Sequence, residues 1–124
     1  MSEAFGDLQF AFVYGVRREG RQCVRLLEPF TWGDITVPEG FISDFASVPT
    51  LFLDGLFPSF DSYAPAAVVH DYLYATGGLY GQYTRKQADD LFLEIMKELG
   101  IPWWKRSLMY RAVRLGGGSG WGRG

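Results

Sequence analysis

The chain has one histidine, His70, set directly before Asp71 in the run AAVVHDYLYATGG, with Tyr74 one helical turn further on. Imidazole titrates near neutrality, so a histidine held by a carboxylate can take a proton from water and return it. The acid fixes the tautomer and steadies the imidazolium. A second acidic pair, Asp89-Asp90, lies in TRKQADDLFLEIMKELG. At about 100° per residue this segment puts Ala88, Leu91, Phe92, Ile95, Met96 and Leu99 on one apolar arc and Lys86, Asp90, Glu94, Lys97 and Glu98 opposite. Asp89 falls on the apolar side, between Met96 and Leu93, while Asp90 faces water. A buried carboxylate is costly without donors. His70 and Tyr74 share a helix face and supply two. If the two helices pack antiparallel through GGLYGQY, Asp89 accepts from one imidazole nitrogen and from the Tyr74 hydroxyl, and the other nitrogen is the base. Asp71 is turned about 100° away and is available to a cation.

The elements that must position these groups follow from local patterning. The first forty residues are rich in β-branched and aromatic types, in LQFAFVYGV, CVRLLEPFTW and DITVPEGFI. They read as a small antiparallel sheet of about three strands, with Pro29 and Pro38 at strand ends because proline cannot donate to a ladder. From Ser43 to Ala64 no period holds, and the expectation is a long anchored loop. Pro65 and Gly77-Gly78 bracket a helix from Ala66 to Thr76. Thr84 with Gln87 forms a capping box that opens a second, from Arg85 to Leu99, closed by Gly100 and Pro102. A third helix starts near Pro102 and ends before GGGSGWGRG. Strands first and helices second indicate α+β. The expected organisation is one α+β domain over residues 1–115 and a Gly-rich tail over 116–124.

Composition narrows the function. Twelve basic and fourteen acidic side chains give a net charge of −2, so no overall field favours nucleic acid, and none is expected as a partner. Cys23 is the only cysteine, which excludes an internal disulfide and multi-cysteine zinc sites. The start MSEAFGDLQF has no basic and apolar leader, and no apolar stretch reaches the roughly 18 residues of a membrane span. Neither export nor a membrane span is therefore expected. A metal-dependent phosphohydrolase would need further histidines. Ser43 and Ser47 lack the strand-turn-helix setting of a nucleophile, and the GGLYG glycines follow a helix rather than a strand, so they read as a helix stop. In the third helix Arg111 and Arg114 lie with Ser107 on one stripe. They read as solvated or ion-paired arginines, and Trp103 and Trp104 as core anchors, with a protein interface as the second reading.

SDFASVP, HDYLY and RKQADDLF together resemble an uncharacterised family of short proteins of tailed phages and prophages, over Phe41 to Gly117. More briefly, over about residues 43 to 97, HDYLY and RKQADDLFLEIMK resemble the paired helices of the secretory phospholipases that cleave the sn-2 ester, in their bacterial branch. That resemblance implies His70 as the base, Asp89 as the orienting acid, Tyr74 as a supporting donor, and a calcium ion held by Asp71, with Asp44 as a further ligand. Those enzymes are exported and disulfide-stapled. This chain has one cysteine, and Phe45 stands where a calcium loop favours glycine. The implied chemistry is calcium-dependent hydrolysis of an ester or amide, lipid first and cell-wall material second.

Each residue also has a plainer reading. His70 in a helix is a hydrogen-bonded structural residue, Asp71 anchors the SDFASVP loop through backbone N–H groups, and Asp44 with Ser47 is turn chemistry. On that alternative the protein is a non-catalytic virion component of tail, neck or baseplate, which uses the His-Asp-Tyr network as a structural lock. Its partners would be other virion proteins or further copies of itself.

Overall fold

A computed structural model describes residues 10–18, 21–43, 64–116, 118, 121 and 122. The chain divides into two compact units, Met1–Phe45 and Ala46–Gly124. The first holds the strands and the second the helices, so the architecture is the α+β arrangement expected, with helices dominating.

In the first unit β1 (Phe10–Arg18), β2 (Arg21–Leu26) and β5 (Ile42–Ser43) form an antiparallel sheet in the order β1-β2-β5. The strands β3 (Phe30–Trp32) and β4 (Ile35–Val37) pair as a hairpin across Gly33-Asp34. The turn needs a residue of positive φ, and Gly33 supplies it at 59°. Two of the three expected strand runs are thus each broken in two, and the prolines are the reason. Pro29 immediately precedes β3 and Pro38 immediately follows β4, where the missing N–H costs no ladder bond. Alternation along β4 buries Ile35 and Val37 and exposes Thr36, whose hydroxyl bonds to that of Thr31 across the hairpin at 2.9 Å.

The second unit is built on α1 (Ala64–Ala75), APAAVVHDYLYA, which is apolar nearly all round and correspondingly buried from Ala66 to Asp71. Its end is followed by α2 (Gly77–Gly81), a single turn in which Gly78, Leu79 and Tyr80 all take left-handed backbone angles. Helix α3 (Arg85–Glu98) opens on the expected capping box. The Thr84 hydroxyl accepts from the Gln87 N–H, and the Gln87 side chain accepts from the Thr84 N–H. It closes with Gly100 in the left-handed region, the Gly100 N–H on the Lys97 carbonyl and the Ile101 N–H on that of Met96. Helix α4 (Trp103–Gly116) follows and buries only Met109 and Val113.

The pairing of side chains gives the helix directions. Tyr74 meets Arg85 while His70 meets Phe92, so α1 and α3 run antiparallel. Asp90 meets Tyr110 while Arg85 reaches Val113, so α3 and α4 do likewise. One expectation is overturned here. Trp103 and Trp104 are exposed rather than core anchors: Trp104 opens α4 on the face away from the buried Met109 and Val113, and Trp103 stands at the flank of that face. No described helix is long and apolar enough to cross a membrane.

Candidate functional site

His70 lies in the middle of α1 and Asp89 in the second turn of α3, and both side chains are 0% exposed. The amphipathic period of α3 turns Asp89 inward with Phe92 and Met96 and leaves Asp90 outside, paired with Lys86 at 2.9 Å. His70 Nε2 and Asp89 Oδ1 are 2.7 Å apart. An ionised carboxylate has only lone pairs to offer, so Nε2 carries the proton and donates. In neutral imidazole the basic lone pair is then on Nδ1. The ring is clamped between Phe92, stacked at 4.4 Å between centroids, and Tyr74, tilted at 4.4 Å.

Tyr74 donates its hydroxyl to the same carboxylate oxygen, at 2.7 Å. Its own oxygen accepts from Arg85 Nε at 3.0 Å, which fixes the direction in which the hydroxyl proton points. The other carboxylate oxygen, Oδ2, accepts from an Arg114 guanidinium nitrogen at 2.8 Å. Arg85 also spends its outer nitrogen on the carbonyls of Val113 and Arg114, at 2.7 and 2.8 Å. These are orphan acceptors at the C-terminal end of α4, where a cation also meets the negative end of the helix dipole. One connected network therefore runs from the end of α4 through Arg85 and Tyr74 to Asp89, and from there to His70 and Arg114.

Asp89 is the single acid of this network and stays ionised inside it. Burial pushes the Asp89 carboxyl up, but the bonds from His70 and Tyr74 and the Arg114 guanidinium outweigh burial and hold it below the ordinary carboxylate range. Burial raises the Tyr74 phenol well above its ordinary value. The Asp89 bond and charge add to that, and Arg85 offsets only part. Tyr74 is thus a neutral donor throughout the physiological range.

The sequence expectation of Asp89 accepting from an imidazole nitrogen and the Tyr74 hydroxyl matches this geometry. Asp71 lies on α1 beside His70, largely buried, and is not among the groups on Asp89. Asp44 and most of SDFASVP lie outside the described residues. Among the described residues no three acidic, histidine or cysteine side chains converge as a metal site. Asp71 alone brings two carboxylate oxygens, against the roughly six to eight that calcium takes. The described residues thus supply Asp71 alone toward such a site, and Asp44, the further ligand the resemblance implies, lies outside them.

Arg85 and Arg114 were missed as members of the site. Sequence patterning puts Arg114 on a stripe with Ser107 and Arg111 as solvated or ion-paired, and the ion-paired reading holds for Arg114 without having named Asp89 as its partner, while it marks Arg85 only as the first residue of a helix. The available signal was electrostatic. An inward carboxylate at position 89 requires a cation, and α4 is the element that brings several.

A family model described as a protein of unknown function (DUF1353) matches residues 24–113. No curated protein and no solved structure matches the chain.

Proposed function

The chain belongs to the DUF1353 family of proteins of unknown function, and from that premise we propose that His70 and Asp89 are the working pair of a hydrolase acting on an ester or amide. The observation that carries the reading is the attachment of the imidazole. Asp89 holds it by Nε2 at 2.7 Å, and Tyr74 shares the same carboxylate oxygen. Nδ1 is then the atom that takes a proton from water, while Asp89 steadies the imidazolium that forms. The protonated ring later returns its proton to the leaving oxygen or nitrogen. Tyr74 and Arg114 keep Asp89 ionised and in place through the cycle. Because the imidazole is 0% exposed, turnover requires that water gain access to Nδ1. The substrate class is lipid ester first and cell-wall amide second. Calcium held by Asp71 and Asp44, and an origin in a phage or prophage, belong to the same proposal and rest on the SDFASVP, HDYLY and RKQADDLF motifs.

A second reading is favoured by one specific observation, the complete burial of both His70 and Asp89. Here the network is a lock between α1, α3 and α4 in a non-catalytic virion component. The two readings separate in one experiment. The purified chain is incubated with phosphatidylglycerol vesicles and with a chromogenic short-chain ester, with and without calcium, and His70→Ala and Asp89→Asn are compared after their folding is verified. The hydrolase reading expects a turnover that falls by about 100-fold or more in folded His70→Ala. No hydrolysis by the parent, together with variants that differ from it only in stability, leaves the lock.

A further inference from the structure

The strongest feature outside the network is the solvent face of α4. Opposite its buried Met109 and Val113, Trp104, Leu108, Arg111 and Leu115 recur at spacings of four, three and four residues. That places them within about 60° of one another on the helix surface. All four are exposed, Leu115 at 90%, and Trp103 flanks the stripe at 69%. The ridge is about 18 Å long at 1.5 Å per residue. Lys105 Nζ lies over the Trp104 ring at 5.5 Å.

Charge identifies the occupant. Helix α4 carries Lys105, Arg106, Arg111 and Arg114 and no acidic residue, whereas the remainder of the chain carries 8 basic against 14 acidic side chains. Arg114 is paired with the buried Asp89 and Arg106 donates to the Ile101 carbonyl, which leaves Arg111 on the ridge and Lys105 beside it as the cations of this face. We infer that this face of α4 is a docking surface for an anionic lipid bilayer, with Trp103, Trp104, Leu108 and Leu115 entering the headgroup boundary and Arg111 and Lys105 meeting lipid phosphates.

A convex row of Trp and Leu with cations beside it suits a fluid interface, which moulds to the inserted groups and demands no matching pocket. Aromatic side chains with one polar atom are stable at headgroup level, and each nearby cation adds attraction to anionic lipid. A second copy docking through the same face would bring Arg111 against an identical basic helix, which opposes self-association. The inference does not depend on turnover at His70, so failure of either leaves the other standing.

The test is sedimentation of the full chain with vesicles of phosphatidylcholine alone and of phosphatidylcholine with phosphatidylglycerol in equal parts. The expected result is binding to the anionic vesicles about tenfold or more above the neutral ones, weakening as sodium chloride is raised. The Trp104→Ser/Leu115→Ser double variant should lose about tenfold or more of that binding, and Arg111→Gln should reduce its salt sensitivity. Because these side chains project into solvent, both variants should melt with the parent. Absence of vesicle binding, or equal binding by parent and double variant, overturns the inference. So does retention on polyglutamate without vesicle binding, which indicates an acidic protein partner. A concentration-dependent dimer abolished by the double variant, again without vesicle binding, would assign the face to a second copy.

Discussion

Asp89 is the residue on which the rest of the site is arranged, because its carboxylate is fully buried and three side chains from two other helices reach it. Replacing it with alanine leaves the His70 N–H, the Tyr74 hydroxyl and the Arg114 guanidinium without their acceptor. The expected loss is about 3–5 kcal/mol in urea unfolding, as for other buried pairs that lose one member. The pH dependence has a definite sign. The folded Asp89 carboxyl titrates below its unfolded value of about 3.9, so its contribution is complete above that value and disappears as pH falls through the lower folded one. Stability of the parent should therefore drop on acidification through that window, and Asp89→Asn should show a flatter profile. Asp90 is also held below the usual range, by the Tyr110 hydroxyl and then Lys86. Its half-exposed position makes Asp90→Asn a control that changes the profile little. His70, Tyr74 and Asp89 were legible in the sequence because helical periodicity puts Asp89 on the apolar side of one helix and His70 with Tyr74 on one face of another, and the short GGLYGQY connection suits antiparallel packing of the two. Arg85 and Arg114 were not, since which of several arginines reaches a buried acid is decided by how α4 lies on α3, and no local pattern encodes that.

At the level of elements, the helices were readable from their ends. Thr84 with Gln87 and Gly100 before Pro102 mark α3 to within a residue, because caps satisfy backbone groups that nothing else reaches. The turn between α1 and α3 was less so. GGLYG was read as a stop, and it is one, yet it continues as a left-handed turn through Leu79 at φ 54° and Tyr80 at φ 59°. Side chains at those angles cost about 1–2 kcal/mol each, which no propensity would predict. Tyr80 is 86% exposed, so its side chain offers little packing in return. Tyr80→Gly should raise stability by about 0.5–1 kcal/mol in urea unfolding, and a loss of that size would show that the phenol does more than point into water. Gly78 is the opposite case. A Cβ there would lie 1.9 Å from the Tyr83 carbonyl oxygen, so Gly78→Ala should cost well over about 2 kcal/mol and loosen the entry to α3.

On the scale of the whole molecule, the helical unit closes on itself through its last residues. The Gly122 N–H bonds to the Tyr74 carbonyl at 2.6 Å, and Trp121 meets the Tyr74 ring edge-on at 5.1 Å. Glycine enrichment in GGGSGWGRG signals chain freedom, and contact with the Tyr74 ring offsets the entropy of ordering Trp121. Trp121→Ala should therefore cost about 1–2 kcal/mol in thermal or urea unfolding, and a cost near zero would detach the tail from the site. The central claim is that the network on Asp89 fixes the imidazole by Nε2 and makes Nδ1 the basic atom. With a single histidine in the chain, nitrogen-15 NMR of the side chain reads this without ambiguity of assignment. The account predicts a neutral ring protonated on Nε2 in the parent and a mixture of tautomers in folded Asp89→Asn. A parent ring protonated on Nδ1, or one whose tautomers are unchanged by the substitution, would contradict it.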